Sequence, residues 1–258
     1  AYLPMVGRVM LLEGFISGEL NTEFEGAELT SADGHFDSKK IKINALLDDN
    51  LNASQFSGWF DYDASENSAA FTNLVLFLEP ELKLKAAIHL DNIGRPNTQI
   101  IATAETRDTP LNAILPYLSS QPLLVLKDTI TKHLSGGSVD FASIELSAVK
   151  EANKDKIDWQ KLQIDGQMSN VQISATSQQY KILTANTKSV FSANLDKNNS
   201  KQNKFLLSST ISDGLIKLSN SERVVSNISG KLDFAFDKNT VQNASIKFLQ
   251  PEAGEVLF

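Results

Sequence analysis

Cysteine is absent from the sequence and histidine is rare, and both shortages exclude kinds of chemistry. The 258 residues include 0 cysteines and 3 histidines. A chain without thiols forms no disulfide, no thiolate metal site and no cysteine nucleophile. His35, His89 and His133 lack the His-x-x-x-His and His-Glu-x-x-His spacings of zinc sites, and no Gly-x-Ser-x-Gly or phosphate-loop motif occurs. We therefore expect a protein that is not an enzyme and that uses no cofactor and no metal.

Long apolar runs and an excess of basic residues are also missing. The best apolar run, residues 74–78, has the length of a strand, whereas a membrane-spanning helix needs roughly 18 apolar residues. The 24 basic and 31 acidic residues give a formal net charge of -7, which repels a phosphate backbone. We expect no membrane-spanning helix in the chain and no nucleic-acid partner.

Alternation between apolar and polar residues is what the sequence has in abundance. A period of two residues sends every second side chain to the same face of a β-strand. Polar, turn-prone clusters separate the alternating stretches, for example at 61–67, 196–203 and 237–240. The pattern predicts a mostly β fold in which antiparallel strands form a meander. The clearest alternating sets are Ile41/Ile43/Ala45, Phe56/Gly58/Phe60/Tyr62, Leu82/Leu84/Ala86, Leu162/Ile164/Gly166/Met168, Val171/Ile173/Ala175, Phe205/Leu207/Ser209/Ile211 and Leu232/Phe234/Phe236.

Glycine lies inside several of the predicted strands, at Gly14, Gly58, Gly166 and Gly230. A glycine within a strand usually marks a bulge or a tight bend. We therefore expect an extended and strongly curved antiparallel sheet, shaped as a groove or a partly open barrel, with one or two short helices.

Helix signals interrupt the strands in one region. Thr109 is a suitable N-cap, Pro110 suits a first helical position, and Pro116 ends or kinks this turn. A second helix is predicted over 121–135, ended by the glycine pair 136–137. Its apolar stripe, at spacings of three and four residues, consists of Leu123, Leu126, Ile130 and Leu134.

The helical region divides the predicted chain into three consecutive parts. These are an N-terminal β segment at 1–108, a helical insertion at 109–137 and a C-terminal β segment at 138–258, possibly continuous as one domain. The sequence begins at Ala1 without an initiator methionine and ends in an apolar stretch at 256–258. We expect it to be a segment of a longer protein.

A more specific arrangement occupies the middle of the chain. It consists of Leu-Pro-Tyr-Leu at Leu115–Leu118, an amphipathic helix, Gly-Gly-Ser-Val-Asp-Phe-Ala at 136–142, Trp-Gln-Lys-Leu-Gln-Ile-Asp-Gly at 159–166 and Val-Gln-Ile at 171–173. This arrangement resembles the DUF3971 region of AsmA-like proteins. The Leu-x-Gly-x-Ile-x-Gly pattern within 11–20 is similar to the strands that precede that region. The last thirty or so residues resemble the strands that follow it.

The resemblance implies a Gram-negative envelope protein that is anchored in the inner membrane by a flanking segment and is otherwise periplasmic. It implies phospholipid acyl chains as the partner, carried toward the outer membrane along a β-groove, with any partner proteins unknown. The helical stripe is expected to act as a lid or plug of the groove. The residues expected to contact lipid are Val139, Phe141, Leu162, Ile164, Phe205, Leu207, Leu232, Phe234 and Phe236.

Other functions fit the same residues. Alternating side chains fill the dry core of a structural or adhesive β scaffold as readily as they line a groove. A carbohydrate-binding or hydrolytic β domain is a further alternative, and it needs Trp59 or Trp159 exposed beside paired carboxylates. The acidic pairs at 48–49 and 61–63 are more simply explained as solvated turn residues than as calcium ligands.

Overall fold

We describe a computed structural model of the chain, covering residues 10–44, 50–79, 81–118, 123–152, 157–176, 180–199, 203–218, 224–237, 240–250 and 254–257. β-Strands make up most of these residues, as the alternation predicts, and helices are short. The strands are β1 Met10–Glu25, β2 Glu28–Asn44, β3 Asn50–Asp63, β4 Ser68–Leu78, β5 Leu82–Asp91, β6 Asn97–Pro110, β7 Leu134–Ser135, β8 Ser138–Glu151, β9 Ile157–Ser169, β10 Gln172–Thr176, β11 Tyr180–Asp196, β12 Lys204–Leu218, β13 Val224–Asp237, β14 Thr240–Gln250 and β15 Gly254–Leu257. The helices are α1 Leu111–Ile114, a 3-10 turn Leu115–Leu118 and α2 Leu124–His133.

Within β1–β6 and within β11–β15, successive strands pair antiparallel with their neighbours in the chain, so the predicted mostly β, antiparallel meander is confirmed. Backbone contacts divide the chain into two compact units. The first consists of Ala1–Thr106, Ser143–Leu162 and Asp196–Asn198, and the second of Arg107–Ala142, Gln163–Leu195 and Asn199–Phe258. The strands β6, β8, β9 and β11 therefore contribute residues to both units. The division into three consecutive segments stays a prediction.

In the first unit the strands follow the order β1-β2-β3-β4-β5-β6-β8-β9. A cluster of buried apolar side chains lies against one face of β4, β5 and β6, because alternate positions of these strands turn inward. Partly buried aromatic side chains of β3 and β4 pack around this cluster. Its buried members are Ala69, Leu90, Ile93, Ile100 and Ala148.

In the second unit the order is β6-β8-β9-β11-β12-β13-β14-β15, with β10 beside β11 and β7 beside β10. The helix α2 packs against β7, β10 and the 3-10 turn. Both α-helices fall within the predicted insertion at 109–137.

The predicted helix bounds are wrong at three points. Pro110, not Thr109, is the N-cap of α1, and the Thr109 hydroxyl donates to the Arg107 carbonyl oxygen. The first free N–H of α1, that of Leu111, is satisfied by the Gly137 carbonyl, so no side-chain cap is needed there. The second helix begins at Leu124 rather than at 121, although residues 119–122 lie outside the described part.

The end of α2 is the third difference. The helix stops at His133, and Leu134, predicted on the helical stripe, lies instead in β7 and pairs with Ile173 of β10. The predicted stop signal, Gly136 and Gly137, forms the turn into β8 with positive φ angles. A Cβ at Gly137 would lie 2.6 Å from the Ser169 carbonyl oxygen, so only glycine fits this turn.

Register irregularities occur where in-strand glycines predict bulges. The β3–β4 pairing shifts between Ser57 and Trp59, on either side of Gly58, and the β1–β2 pairing shifts between Glu13 and Phe15, on either side of Gly14. The side chain of Leu74 fills the space beside Gly58 that a Cβ would occupy. These two bulges are therefore confirmed.

Because only one face of β12 is buried, substitutions on its two faces should differ in their effect on the free energy of unfolding. Leu207 is 2% exposed and its chain neighbour Leu206 is 45% exposed. Leu207→Ala should lower the free energy of unfolding by about 2–5 kcal/mol, because it removes buried methyl groups and leaves a cavity. Leu206→Ala, the matched control on the opposite face, should cost below about 1 kcal/mol. Urea titration of both variants measures the difference, and equal losses would contradict the one-sided strand.

Candidate functional site

Cross-strand register collects apolar positions on one face of β11, β12 and β13 in the second unit. Phe191 of β11 stands opposite Leu207 of β12, which in turn stands opposite position 234 of β13. Directly opposed residues of antiparallel strands share a face. The adjoining rows are Ala193–Phe205–Phe236, Ser189–Ser209–Leu232 and Thr187–Ile211–Gly230, and we call these four rows together the apolar face.

Burial on β11 and β12 follows the same alternation. Phe205, Leu207 and Ile211 are almost completely buried, whereas Val190 and Leu206 on the opposite face are about half exposed. Positions 232, 234 and 236 of β13 fit the rows by register, and their side chains lie outside the described residues. The structure thus brings five of the nine predicted lipid-contacting positions, 205, 207, 232, 234 and 236, into one continuous set.

Three hydroxyl groups lie within the apolar face and are satisfied internally. The Ser189 and Ser209 hydroxyls are hydrogen-bonded to each other at 2.8 Å across β11 and β12. The Thr187 hydroxyl donates to the Val171 carbonyl oxygen at 2.6 Å. Because each hydroxyl has a protein partner, the face remains effectively apolar at these points.

Strand β9 adds further buried positions to the second unit. Ile164 is buried, and Gly166 lies against the ring of Phe191, where a Cβ would come within 2.5 Å of the ring carbon Cζ. Since residues two apart in a strand share a face, Ile164 turns to the same side as Phe191. Leu162 is also buried but belongs to the first unit, so its part in the same surface stays a prediction.

Strand β8 carries the last two residues predicted to contact lipid, Val139 and Phe141, and these two differ in burial. Val139 is buried, whereas Phe141 is partly buried and its ring lies 4.8 Å from the guanidinium carbon of Arg107. This cation–π contact is favourable and covers one side of the ring with a charged group. Of the two residues, Val139 is therefore the more completely buried.

The predicted lid residues do not form one helical stripe. Leu123 and Ile130 are partly buried at α2, and the side chain of Leu126 lies outside the described residues. Leu134 is buried in β7 opposite Ile173, as described above. A role of α2 as a lid or plug stays a prediction.

Acidic residues and one exposed tryptophan characterise a polar face of the first unit. Trp59 is 53% exposed, and its ring centroid lies 5.2 Å from that of His35 on the neighbouring strand. In the next row Asp33 stands opposite Asp61, and both residues are exposed. Trp159 is partly buried. Trp59 thus meets the exposure condition for carbohydrate binding, which itself stays a prediction.

Neither a metal site nor a membrane-spanning helix is found in the described part of the chain. No group of three or more histidine and carboxylate side chains there has a geometry that could hold a metal ion. The described helices are also too short or too polar to cross a membrane. His133 lies in the last turn of α2.

Sequence reasoning missed two features of these surfaces. The Ser189–Ser209 pair joins strands that are separated by a polar loop, and only the register reveals that the two hydroxyls meet. The exposure of β1 also has no signal in the alternation. The absence of lysine and proline from β1 was the available hint.

Comparison with known proteins adds no assignment, since no protein-family model, curated protein or solved structure matches the chain. The resemblance to AsmA-like proteins therefore stays a prediction.

The turn between β3 and β4 yields a test of local electrostatics. Asp63 Oδ1 accepts bonds from the Ser65 hydroxyl at 2.7 Å, from the Glu66 N–H at 3.2 Å and from the Ser65 N–H at 2.7 Å. These donors, the Ser65 hydroxyl foremost, lower the pKa of Asp63 below its ordinary value, because they stabilise the charged form.

A lowered folded-state pKa contributes stability above the unfolded-state value, and this contribution is lost as the pH falls through the folded-state value. Ser65→Ala removes the main donor, so it should raise the pKa of Asp63 and move the acid loss of stability to higher pH. The midpoint of the Asp63 carboxyl signal in an NMR titration measures this change. An unchanged midpoint would refute the assigned cause.

Proposed function

We propose that the chain is a non-enzymatic segment that shields or conducts phospholipid acyl chains along the apolar face. The single observation that supports this proposal is the continuity of the rows: apolar positions of β11, β12 and β13 stand opposite one another without a charged residue among them. The opposite face of the same strands carries residues such as Lys188, Thr210 and Lys231 in one row. An apolar surface with this one-sided composition suits hydrocarbon rather than a polar ligand.

The energetic need for such a surface is large. Each CH₂ group exposed to water costs about 0.8 kcal/mol, so an unshielded acyl chain of sixteen carbons costs on the order of 13 kcal/mol. A continuous apolar trough removes most of this barrier. The proposal includes a strongly curved, groove-like sheet, since a flat sheet would leave one side of the acyl chain in water.

The satisfied hydroxyl groups also support movement of a guest along the face. A free donor or acceptor would have to be desolvated by the passing acyl chain, at a cost of about 1–3 kcal/mol. The internal bonds of Ser189, Ser209 and Thr187 avoid that cost.

The placement of the protein forms part of the same proposal. The resemblance to AsmA-like proteins supports a periplasmic location, with anchoring in the inner membrane through segments that flank this chain.

A structural or adhesive scaffold with a filled interior is the second candidate. The observation that favours it is the near-complete burial of Leu207 and Ile211, at 2% exposure each. The close packing of the Phe191 ring against Gly166 also favours a filled interior. In a scaffold these contacts serve stability alone and no guest molecule enters.

One experiment distinguishes the two functions. The chain is expressed in Gram-negative cells and purified without detergent, and an organic extract is analysed for phospholipid by mass spectrometry. A photo-crosslinking amino acid at position 207 should then capture the lipid, and the same group at 206 should not, because it lies on the other face. Position 191 provides a second site of capture where the change at 207 prevents folding.

Phospholipid in the extract together with an adduct at 207 or 191 and none at 206 is the expected result. A folded chain without phospholipid and without any adduct would overturn the lipid proposal and leave the scaffold function. Adducts of equal yield at 206 and 207 would indicate lipid bound without regard to the apolar face, and would also overturn the proposal.

A further inference from the structure

An exposed tryptophan lies on a sheet face of the first unit, between strands that are paired on both sides of it. Trp59 of β3 is 53% exposed, and it stands opposite His35 of β2 and Thr72 of β4. Because both edges of β3 are hydrogen-bonded here, the exposure of the ring belongs to the face of the sheet and does not depend on a free edge. A ligand that covered the indole would remove a large apolar area from water.

The Trp59 ring is supported from one side by a second ring. Its centroid lies 5.2 Å from that of His35, and the two planes are inclined by 45°. Aromatic pairs are favourable at separations of about 4.5–7 Å. His35 is itself partly buried, so this contact restricts the orientation of the indole. A ring that is already oriented loses less conformational freedom when a ligand stacks on it.

Beside the indole the register places a short side chain between two longer ones. Asp61, two residues along β3 from Trp59 and on the same face, stands opposite Ala70 of β4, which stands opposite His89 of β5. Asp61 and His89 are exposed, and we call the low position between them the Ala70 depression. Adjacent strands lie about 4.8 Å apart, so the two polar residues flank the depression at roughly 10 Å from each other. One sugar-sized ring fits between them.

The polar groups beside the Ala70 depression are available to a ligand. In the described part of the chain, Asp61 and His89 make no hydrogen bond or ion pair with another residue. An ionised carboxylate only accepts hydrogen bonds, whereas a neutral imidazole both donates and accepts. The Thr72 hydroxyl, on the same face as Trp59, adds a group that does both. Such a set matches a ligand that carries several hydroxyl groups.

The surroundings of Trp59 are acidic. Asp33 stands opposite Asp61, Glu19 stands opposite His35, and both Asp33 and Glu19 are exposed. The Asn21 amide donates to Asp33 Oδ2 at 3.1 Å, and this neutral donor leaves the negative charge in place. The chain as a whole carries a formal net charge of -7. Phosphorylated and carboxylated ligands are therefore repelled from this face.

These features together define a ligand class. We propose that Trp59 and the Ala70 depression bind an oligosaccharide that carries no acidic group. One pyranose ring stacks its C–H face on the indole, and the next ring lies over Ala70, where its hydroxyls donate to Asp61 and bond to His89. One apolar platform with a few placed polar groups is the composition of a small-molecule site. The site belongs to the first unit and is separate from the apolar face of the second.

The test titrates the whole chain with three short oligosaccharides that differ in charge: a neutral glucose oligomer, a glucosamine oligomer with free amino groups and a galacturonate oligomer. Calorimetry measures binding, and the fluorescence of Trp59, in a chain carrying Trp159→Phe, locates it. The neutral and the glucosamine oligomers should bind and change the fluorescence, and the galacturonate oligomer should do neither. At low salt the glucosamine oligomer should bind more tightly than the neutral one, because the acidic surroundings attract its ammonium groups.

Matched variants assign the contacts. Trp59→Ala should weaken binding of the neutral oligomer on the order of tenfold, because the stacking surface is lost. Ala70→Leu should also weaken it, because the larger side chain fills the depression while every polar group remains. Leu206→Ala, which truncates an exposed apolar residue of the second unit, should bind as the unchanged chain does. Asp61→Asn should remove the preference for the glucosamine oligomer, whereas Glu81→Gln, the same change of charge at an exposed turn, should keep it.

Three outcomes would overturn the proposal. The first is a folded chain that binds neither of the two oligomers without acidic groups. The second is unchanged affinity in both Trp59→Ala and Ala70→Leu, which would move the site elsewhere. The third is binding of tetramethylammonium as tight as that of the neutral oligomer, which would make Trp59 a site for cations. None of these outcomes bears on lipid binding by the apolar face.

Discussion

The register between β11 and β12 is the constraint on which the apolar face depends. The side-chain period of a strand is two residues. A slip of β12 by one residue would therefore place Leu206 on the apolar face and turn Leu207 to the opposite face. The burial of one leucine and the exposure of the other show how completely the present register separates the two faces. The positions that β13 contributes to the apolar face depend in turn on its pairing with β12.

The buried hydroxyl pair gives this register a physical basis beyond apolar contact. Ser189 and Ser209 meet only when β11 and β12 are aligned as they are, and each would otherwise be a buried polar group without a partner. Such a group costs about 1–3 kcal/mol. Apolar side chains tolerate sliding past one another better than hydroxyl groups do, so the two serines discriminate among registers that the leucines and phenylalanines would accept. The Thr187 hydroxyl is bonded to the Val171 carbonyl instead, outside β12, so it satisfies a buried polar group without fixing the register of β11 on β12.

Strand positions could be predicted from the sequence, whereas helix ends and edges could not. The alternation of apolar and polar residues from Phe205 to Ile211 is a local signal, and the burial of these side chains in β12 follows it. Leu134 also fits a helical spacing, but its backbone is extended because Ile173, far along the chain, pairs with it. Long-range pairing leaves no mark in the local pattern, and this is why α2 ends earlier than predicted. The exposure of Phe15 and Leu20 in β1 escaped prediction for the same reason, since alternation does not tell which side chains a distant part of the chain covers.

A groove and a filled core differ in what faces the apolar side chains, and the residues themselves are the same in both. A core is stabilised by fixed, closely fitted contacts, of which the ring of Phe191 beside Gly166 is an example. A path for a moving acyl chain instead needs weak contacts that repeat from row to row, because one strong contact would trap the guest. The rows through Phe205 and Leu207 repeat apolar positions from row to row, and the hydroxyl groups beside them are already bonded. In the proposed function the apolar face therefore combines tight packing at β9 with apolar positions that repeat across β11 and β12.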